Sequence, residues 1–425
     1  MNQSQPIQNK SLIFGWFICL LGALFYTYEY LLRIEPGIMV NDLSHHFALD
    51  ATGVGLLASA YYWAYTTLQL VVGLILDRFG AKRTLLFALL FCIIGTYIFG
   101  YAHNVWIAGT GRFMIGVGSA FAFVGSLKLC SDWLPKKYFS FFAGLCTSLG
   151  MLGAIFGETA MSYVVDHLSW RPVITDSIWL GVILFAIFFL CIVEKNEVTK
   201  KEPIHFKFLF HTVFKIARSK KIAQAGFIGC ALYLSLSVLG EQWGNSYIQK
   251  IFNIHAESAS YFVDMIFLGW LVGSPIQGVL SEKLKSRKCV LMIGSLLSLA
   301  AFLPLIICPL ALSKSVFLTL LFLFAFFCSA EINCFAVGHD AVDRTLTATA
   351  VGFMNACIMV GGMIIQPFFA FCLDFFAHHA GAMQGRMHHT LSDYQHALWI
   401  IPIFLIIAFV FAWKMEESYH HEESV

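Results

Sequence analysis

Hydrophobic positions along this chain gather into twelve long runs separated by short polar stretches. They cover roughly 12–34, 51–76, 84–102, 105–127, 139–163, 172–193, 223–247, 257–280, 288–309, 314–338, 347–374 and 396–414. A helix needs about 20 mostly apolar residues to cross a bilayer, and each run approaches that length. In lipid every backbone polar group must be satisfied within the segment, so such runs are helices. The predicted fold is all-α and integral to the membrane. The first run is too long for a signal peptide and no small-residue cleavage pattern follows it, so it is expected to stay as the first helix.

The longest polar stretch between runs, about 194–222, carries eight basic residues. From Phe206 to Ile222 apolar residues recur at near-helical spacing among Lys207, Lys215, Arg218, Lys220 and Lys221, which predicts an amphipathic helix lying on the membrane surface. The chain thus divides into an N-terminal six-helix bundle (1–193), a basic linker (194–222) and a C-terminal six-helix bundle (223–425).

The halves echo each other. Gly73-Leu-Ile-Leu-Asp77-Arg78-Phe-Gly80-Ala-Lys82-Arg83 follows the second run, and Gly278-Val-Leu-Ser-Glu282-Lys283-Leu-Lys-Ser-Arg287-Lys288 follows the eighth. Gly73 aligns with Gly278, Asp77 with Glu282, Arg78 with Lys283, and the closing basic pairs coincide; Gly80 is matched by Lys285. A repeated half of this kind predicts two pseudo-symmetric bundles that move against each other, an arrangement a channel or membrane enzyme does not generally need.

Only 12% of residues are charged, against about 25% in soluble domains, so most of the surface is expected to face lipid. Net charge is +2, which gives no argument for nucleic acid. Of the 27 Lys and Arg residues, Arg171, Lys250, Lys314 and Arg386 fall in the loops on one side, and Arg33, Arg112 and Lys128 within runs. The remaining 20 lie on the side of both chain ends, so the positive-inside rule predicts cytoplasmic termini. The twelve cysteines lie in or beside apolar runs, which predicts packed free thiols rather than disulfides. No phosphate-binding loop and no nucleophile–base pair stands out, so neither ATP-driven work nor enzymatic chemistry is expected.

The first repeat copy resembles the signature loop of the major facilitator superfamily, and run count, orientation, central linker and repetition extend that resemblance over the whole chain. It implies alternating access. It also implies that Gly73, Asp77, Arg78, Gly80, Lys82, Arg83 and their mates Gly278, Glu282, Lys283 and Arg287 form a conformational latch, with the glycines expected to let helices approach closely. Gly111-Arg112 followed by Gly116, Gly118 and Ala120 is similar to the family's second signature. Arg112 is either part of a proton-coupling network or a structural group held by carbonyls. Gly144, Gly150, Gly153 and Gly157 loosely resemble the glycine-rich signature of drug antiporters, but the Gly-Pro dipeptide is absent and close packing is the expected role.

Tyr28-Glu29-Tyr30, Gly118 to Leu129, Trp133-Leu-Pro135, Gly352-Phe-Met-Asn355, Gly361-Gly362 and Gln366-Pro367 look like a bacterial branch that includes phagosomal importers of amino acids and related nutrients. A distant similarity to lysosomal dipeptide transporters breaks at Ser119 and Met151, where an acid and an arginine would be expected.

Candidate chemistry lies within the runs. Glu29 and Arg33 are i,i+4 on one helix face with Tyr26 and Tyr30 beside them. They are either a site for a small zwitterion, with Glu29 a proton carrier, or an aromatic belt with a snorkelling arginine. Glu331, with Asn333, is the deepest carboxylate of the second half and a second candidate proton carrier. Glu241 lies on the seventh run, though not at a depth equivalent to Glu29. Asn355 and Gln366 complete the polar set. Lys128, Glu158 and Asp264 lie nearer run ends and are expected at the interface. His378, His379, His388, His389 and His396 form a loop expected to be solvated, with metal binding the weaker alternative.

The expectation is a proton-coupled secondary transporter of an amino acid, short peptide or related nutrient in a bacterial inner membrane. It would use the proton gradient and no cofactor, work as a monomer, and contact only its solute and the bilayer. The rival is an exporter of drugs, siderophores or organic anions.

Overall fold

The computed structural model describes residues 5–135, 138–193, 213–214, 216–341, 347–379 and 389–418. Among them every regular element is helical. Eleven helices are long and apolar enough to cross a membrane. They are α1 (Leu12–Ile38), α3 (Ala81–Gly100), α4 (Val105–Trp133), α5 (Phe141–His167), α6 (Trp170–Cys191), α7 (Lys220–Phe252), α8 (Ala256–Leu284), α9 (Arg287–Ile307), α10 (Lys314–Asp340), α11 (Thr349–Ala377) and α12 (Leu391–Lys414). The twelfth, α2, is interrupted: Ala51–Leu68 continues after a turn as Val72–Phe79. A turn costs helical hydrogen bonds and leaves no composition signal, so hydropathy alone reads one unbroken segment there. Of the predicted linker helix, 206–212 and Lys215 lie outside the described residues, and its last three residues, Lys220 to Ile222, open α7 instead.

Packing repeats between the halves. α1 packs on α5, α2 on α4, and α3 on both α4 and α6; correspondingly α7 packs on α11, α8 on α10, and α9 on both α10 and α12. The main packing between the halves pairs α1 with α7, α2 with α11 and α5 with α8. Large apolar side chains such as Ile13, Phe87, Trp106, Phe156 and Leu190 point away from the core. In water this surface would be strongly unfavourable; in a bilayer it is the matching solvent. Gly150, Gly153 and Gly157 seat α1 against α5, since a Cβ at each would press on Tyr26, Thr27 and Leu31 respectively. Close packing is thus their role, whereas Gly144 faces open space.

The repeat loops lie on the face carrying the chain ends. Asp77 pairs with Lys128 of α4 at 3.1 Å, and Lys128 also reaches Asp132 at 3.4 Å. In the second copy Arg287 pairs with Glu282 at 2.6 Å and approaches Asp340 of α10 at 3.7 Å. Both sets join neighbours within one half. Gly80 has φ 83°, and Lys285 at the matching place also turns left-handed with φ 51°. Arg78 lies over Phe79, Lys82 over Phe189 of α6, and Lys283 is exposed. Gly73 and Gly278 do not serve close approach: a Cβ at either meets nothing within 4 Å. The reason is that Gly73 is exposed, on a side of the last α2 segment that does not meet α3 or α4, and Gly278 is only half-buried.

Polar contacts join the halves in the middle and on the face opposite the chain ends. There Asp374 of α11 caps α2 across the halves, accepting from Ala51 N (3.2 Å), Thr52 N (2.7 Å) and Thr52 Oγ1 (2.6 Å). His389 is buried and bonds Asp374 at 2.9 Å rather than lying solvated. An N-terminal cap contributes about 1 kcal/mol, and here it also joins two bundles. Asp374→Ala is therefore expected to loosen this face. A buried Ala51→Cys, in a Cys308→Ser background, should then be modified faster by an impermeant thiol reagent. An unchanged rate would show that Asp374 does not hold the face shut.

Candidate functional site

At mid-height, where α1, α2 and α7 meet, the Arg33 guanidinium sits among two carboxylates and five tyrosines. Its Nε and Nη2 donate to Glu29 Oε1 at 2.9 and 2.6 Å, and its Nη1 donates to Tyr233 of α7 at 2.9 Å. Glu241 Oε1, also on α7, lies 3.7 Å from Nη1. Tyr61 of α2 donates to Glu29, and Tyr62 donates to Glu241. Tyr233 also donates to Glu241 at 2.9 Å. The rings of Tyr30 and Tyr65 lie 4.5 and 5.1 Å below the guanidinium carbon, close enough for cation–π attraction. Arg33 is 3% exposed and Glu29 0%, so neither is a snorkelling interfacial group. The charges are desolvated, and such an arrangement persists only because nearly every lone pair and proton has a partner.

The backbone explains the convergence. Glu29 and Arg33 share a face of α1 one turn apart. Glu241 is not the repeat mate of Glu29; the offset between the copies would bring Glu29 to Leu234. It reaches the same guanidinium because Ser235–Trp243 is wound as a π-helix. An inserted residue rotates the rest of the helix by about 100° relative to an unbroken α-helix, and such windings concentrate at functional sites. α1 can come this close to α7 because of Gly37: a Cβ there would overlap the Glu241 carbonyl oxygen and lie 2.9 Å from Gln242 Cα. Gly37→Leu is expected to force the halves apart at this level, at about 1–3 kcal/mol, and to abolish uptake. Normal uptake by this variant would mean the α1–α7 contact is dispensable.

The other candidates divide. Tyr26 stacks edge-on against Tyr30 at 5.2 Å, a layer below the guanidinium. Arg112 is held by main-chain carbonyls, donating to Leu32 O at 2.6 Å and Arg33 O at 3.4 Å, so it braces the turn of α1 that carries Arg33. Asn355 faces Tyr65 from α11. Glu331 is buried in α10 with no hydrogen bond or ion pair to the Arg33 cluster, and Asn333 donates to its own helix at Ala330 O. Gln366 is buried with an unpartnered Oε1 just after the second π-wound segment, Gly361–Ile365. Glu158 and Asp264, expected at the interface, are instead 2% and 7% exposed, because α5 and α8 close over them.

Sequence reading missed five groups. Tyr61, Tyr62 and Tyr65 lie in Tyr61-Tyr-Trp-Ala-Tyr65, an aromatic run indistinguishable by composition from packing residues. Tyr233 was equally silent. Glu35 is fully buried with neither oxygen hydrogen-bonded, beside Arg112 and Ser177. Its position one residue before Pro36, at the end of an apolar run, resembled a loop.

A multi-pass helical membrane protein of two repeated bundles, with a charged cluster buried between them, is a carrier by construction. The Major Facilitator Superfamily profile matches residues 18–366 and again 245–424, and the chain belongs to that family of transporters, which are not enzymes. It is a secondary transporter of a small solute. A probable sulfoacetate transporter of Cupriavidus necator is 23% identical over 87% of this chain and 89% of its own length. A hexuronate transporter of Bacillus subtilis is 24% identical over 84% of this chain and 87% of its own. Among solved structures, an inward-facing, occupied bacterial homologue of the lysosomal transporter Spinster superposes with a TM-score of 0.73 at 14% identity, covering 93% of this chain and 96% of its own. A D-xylose–proton symporter gives 0.73 at 13% identity, covering 96% and 99%.

Proposed function

We propose that this protein is a proton-coupled importer of small carboxylate-bearing solutes, working by alternating access. The observation that carries the reading is the Arg33 guanidinium held between Glu29 and Glu241 from opposite halves. A solute carboxylate can take the guanidinium only by displacing a resident one. A displaced carboxylate in a dry site is strongly unfavourable unless it takes up a proton. Solute and proton therefore load together. The names of relatives favour the same chemistry: sulfoacetate, hexuronate and, over shorter stretches, galactarate and D-glucarate are all organic anions.

The second reading, an amino acid or short peptide, draws support from the paired carboxylates, since one could hold an ammonium while Arg33 holds the carboxylate. The bias of basic loops toward the chain-end face supports cytoplasmic termini in a bacterial cell membrane. The fold requires no second subunit.

The test is accumulation by proteoliposomes with acid outside, using labelled sulfoacetate, glucuronate, glucarate, amino acids and dipeptides. Accumulation of the acids that collapses with a protonophore is expected. Accumulation of amino acids alone would select the second reading. No accumulation of any, with efflux of drugs or siderophores instead, would overturn import.

A further inference from the structure

The seam between α5 and α8 holds a second polar cluster that takes no part in the Arg33 site. Glu158 and Thr159 are neighbours on α5. Glu158 Oε1 accepts from Asn245 Nδ2 of α7 at 2.8 Å, and Asp264 Oδ2 of α8 accepts from Thr159 Oγ1 at 2.6 Å. Asn245 cannot turn its oxygen inward, because that oxygen accepts from Gln249 at 2.7 Å and its amide also donates to Ala256 O at 3.1 Å. The two carboxylates are electrostatic neighbours. Asp264 Oδ1 is buried without any partner, as is Ser162 Oγ one turn along the same stripe of α5.

Among the described residues no cation pairs with either carboxylate. On α1, Glu29 and Arg33 bond each other and Glu35 lies by Ser177 and Arg112; beyond it, Asp42 is the electrostatic neighbour of Asp166. On α4, Arg112 bonds carbonyls of α1, and Lys128 bonds Asp77 and Asp132. Arg171 and Asp176 of α6 and Lys250 of α7 are exposed, and Glu241 faces Arg33. Asp166 of α5 accepts from Glu257 N at the far face. Lys314 and Glu331 of α10 and the basic start of α9 form no pair with either carboxylate. Two adjacent carboxylates with only neutral donors are incompatible with full ionisation in such a place.

We propose that Glu158 and Asp264 form a proton-binding site at the seam, loaded from the far-side solution, whose occupancy allows that face to close. When α5 and α8 part, the pair meets water and releases the proton; when they close, a proton must be bound. This rests on the alternating-access reading but not on the identity of the solute or on Arg33.

The experiment is hydrogen–deuterium exchange of the full chain in acidic and alkaline buffer, comparing variants at the same pH so that intrinsic exchange cancels. In the wild type, peptides at the far ends of α5 and α8 should exchange faster than in Glu158→Gln/Asp264→Asn under alkaline conditions and alike under acidic ones. Arg33→Gln should retain the wild-type response even where uptake is lost. Should the double variant fail to melt cooperatively, infrared spectra of the wild type and single variants serve instead: a protonated-carboxyl C=O band of the closed protein should weaken in each. Identical exchange in wild type and double variant at both pH values, an unchanged C=O band, or opening controlled by sodium at fixed pH would overturn the proposal.

Discussion

Arg33→Gln is expected to abolish uptake, with solute affinity falling at least about 100-fold. The guanidinium makes four charge-assisted hydrogen bonds, two to Glu29 and one each to Tyr61 and Tyr233. Removing one partner of a buried pair costs about 3–5 kcal/mol because the remaining charge is stranded. Here two carboxylates would be stranded, and each would have to take a proton for the helices to remain packed. Arg33→Lys keeps the charge but loses the fork, since one ammonium cannot serve Glu29 and Tyr233 with the same geometry. It should be intermediate, with a loss of about 10-fold. Binding measured by isothermal titration and uptake measured in vesicles check both. Wild-type affinity in Arg33→Gln would remove this residue from the solute site.

Glu29→Gln and Glu241→Gln are expected to separate exchange from accumulation. Glutamine keeps nearly the shape of a protonated carboxyl, so solute on one side should still exchange with labelled solute on the other. Accumulation driven by a pH gradient should disappear in whichever variant removes the displaced, proton-accepting group. Tyr61 donates to Glu29 alone, whereas Tyr62 and Tyr233 both donate to Glu241. Glu29 is also the carboxylate bonded to Arg33, at 2.6 and 2.9 Å, and so the one a solute must displace; Glu29 is therefore expected to carry the proton and Glu29→Gln to show the larger loss. Equal, undiminished accumulation in both variants would place coupling elsewhere, with Glu331, the unpartnered Glu35 and the Glu158–Asp264 seam among the remaining buried acids.

Much of this architecture is legible in the sequence. Apolar run lengths located the spans, with most boundaries displaced by only a few residues, because bilayer thickness imposes a length that composition must match. α2 and, more briefly, α4 differed in kind, since the turns after Leu68 and Ser119 interrupt the helix without changing hydropathy. The i,i+4 spacing of Glu29 and Arg33 was enough to pair them, because helical geometry fixes that neighbourhood whatever surrounds it.

The rest needed the tertiary structure. Whether Arg33 snorkels or is buried depends on what α2 and α7 place over it, and neither helix is near it in sequence. Glu241 joins the site through a π-wound segment, a change of winding that periodicity does not register. Tyr61, Tyr62 and Tyr233 become ligands of charges only by facing them. Glu158 and Asp264 looked interfacial because distance from a span end measures depth in a membrane, not enclosure by a partner bundle. The sequence determined what each helix is, because lipid acts on every residue of a span alike. The tertiary structure decided which polar groups meet, because that depends on how two halves close on each other.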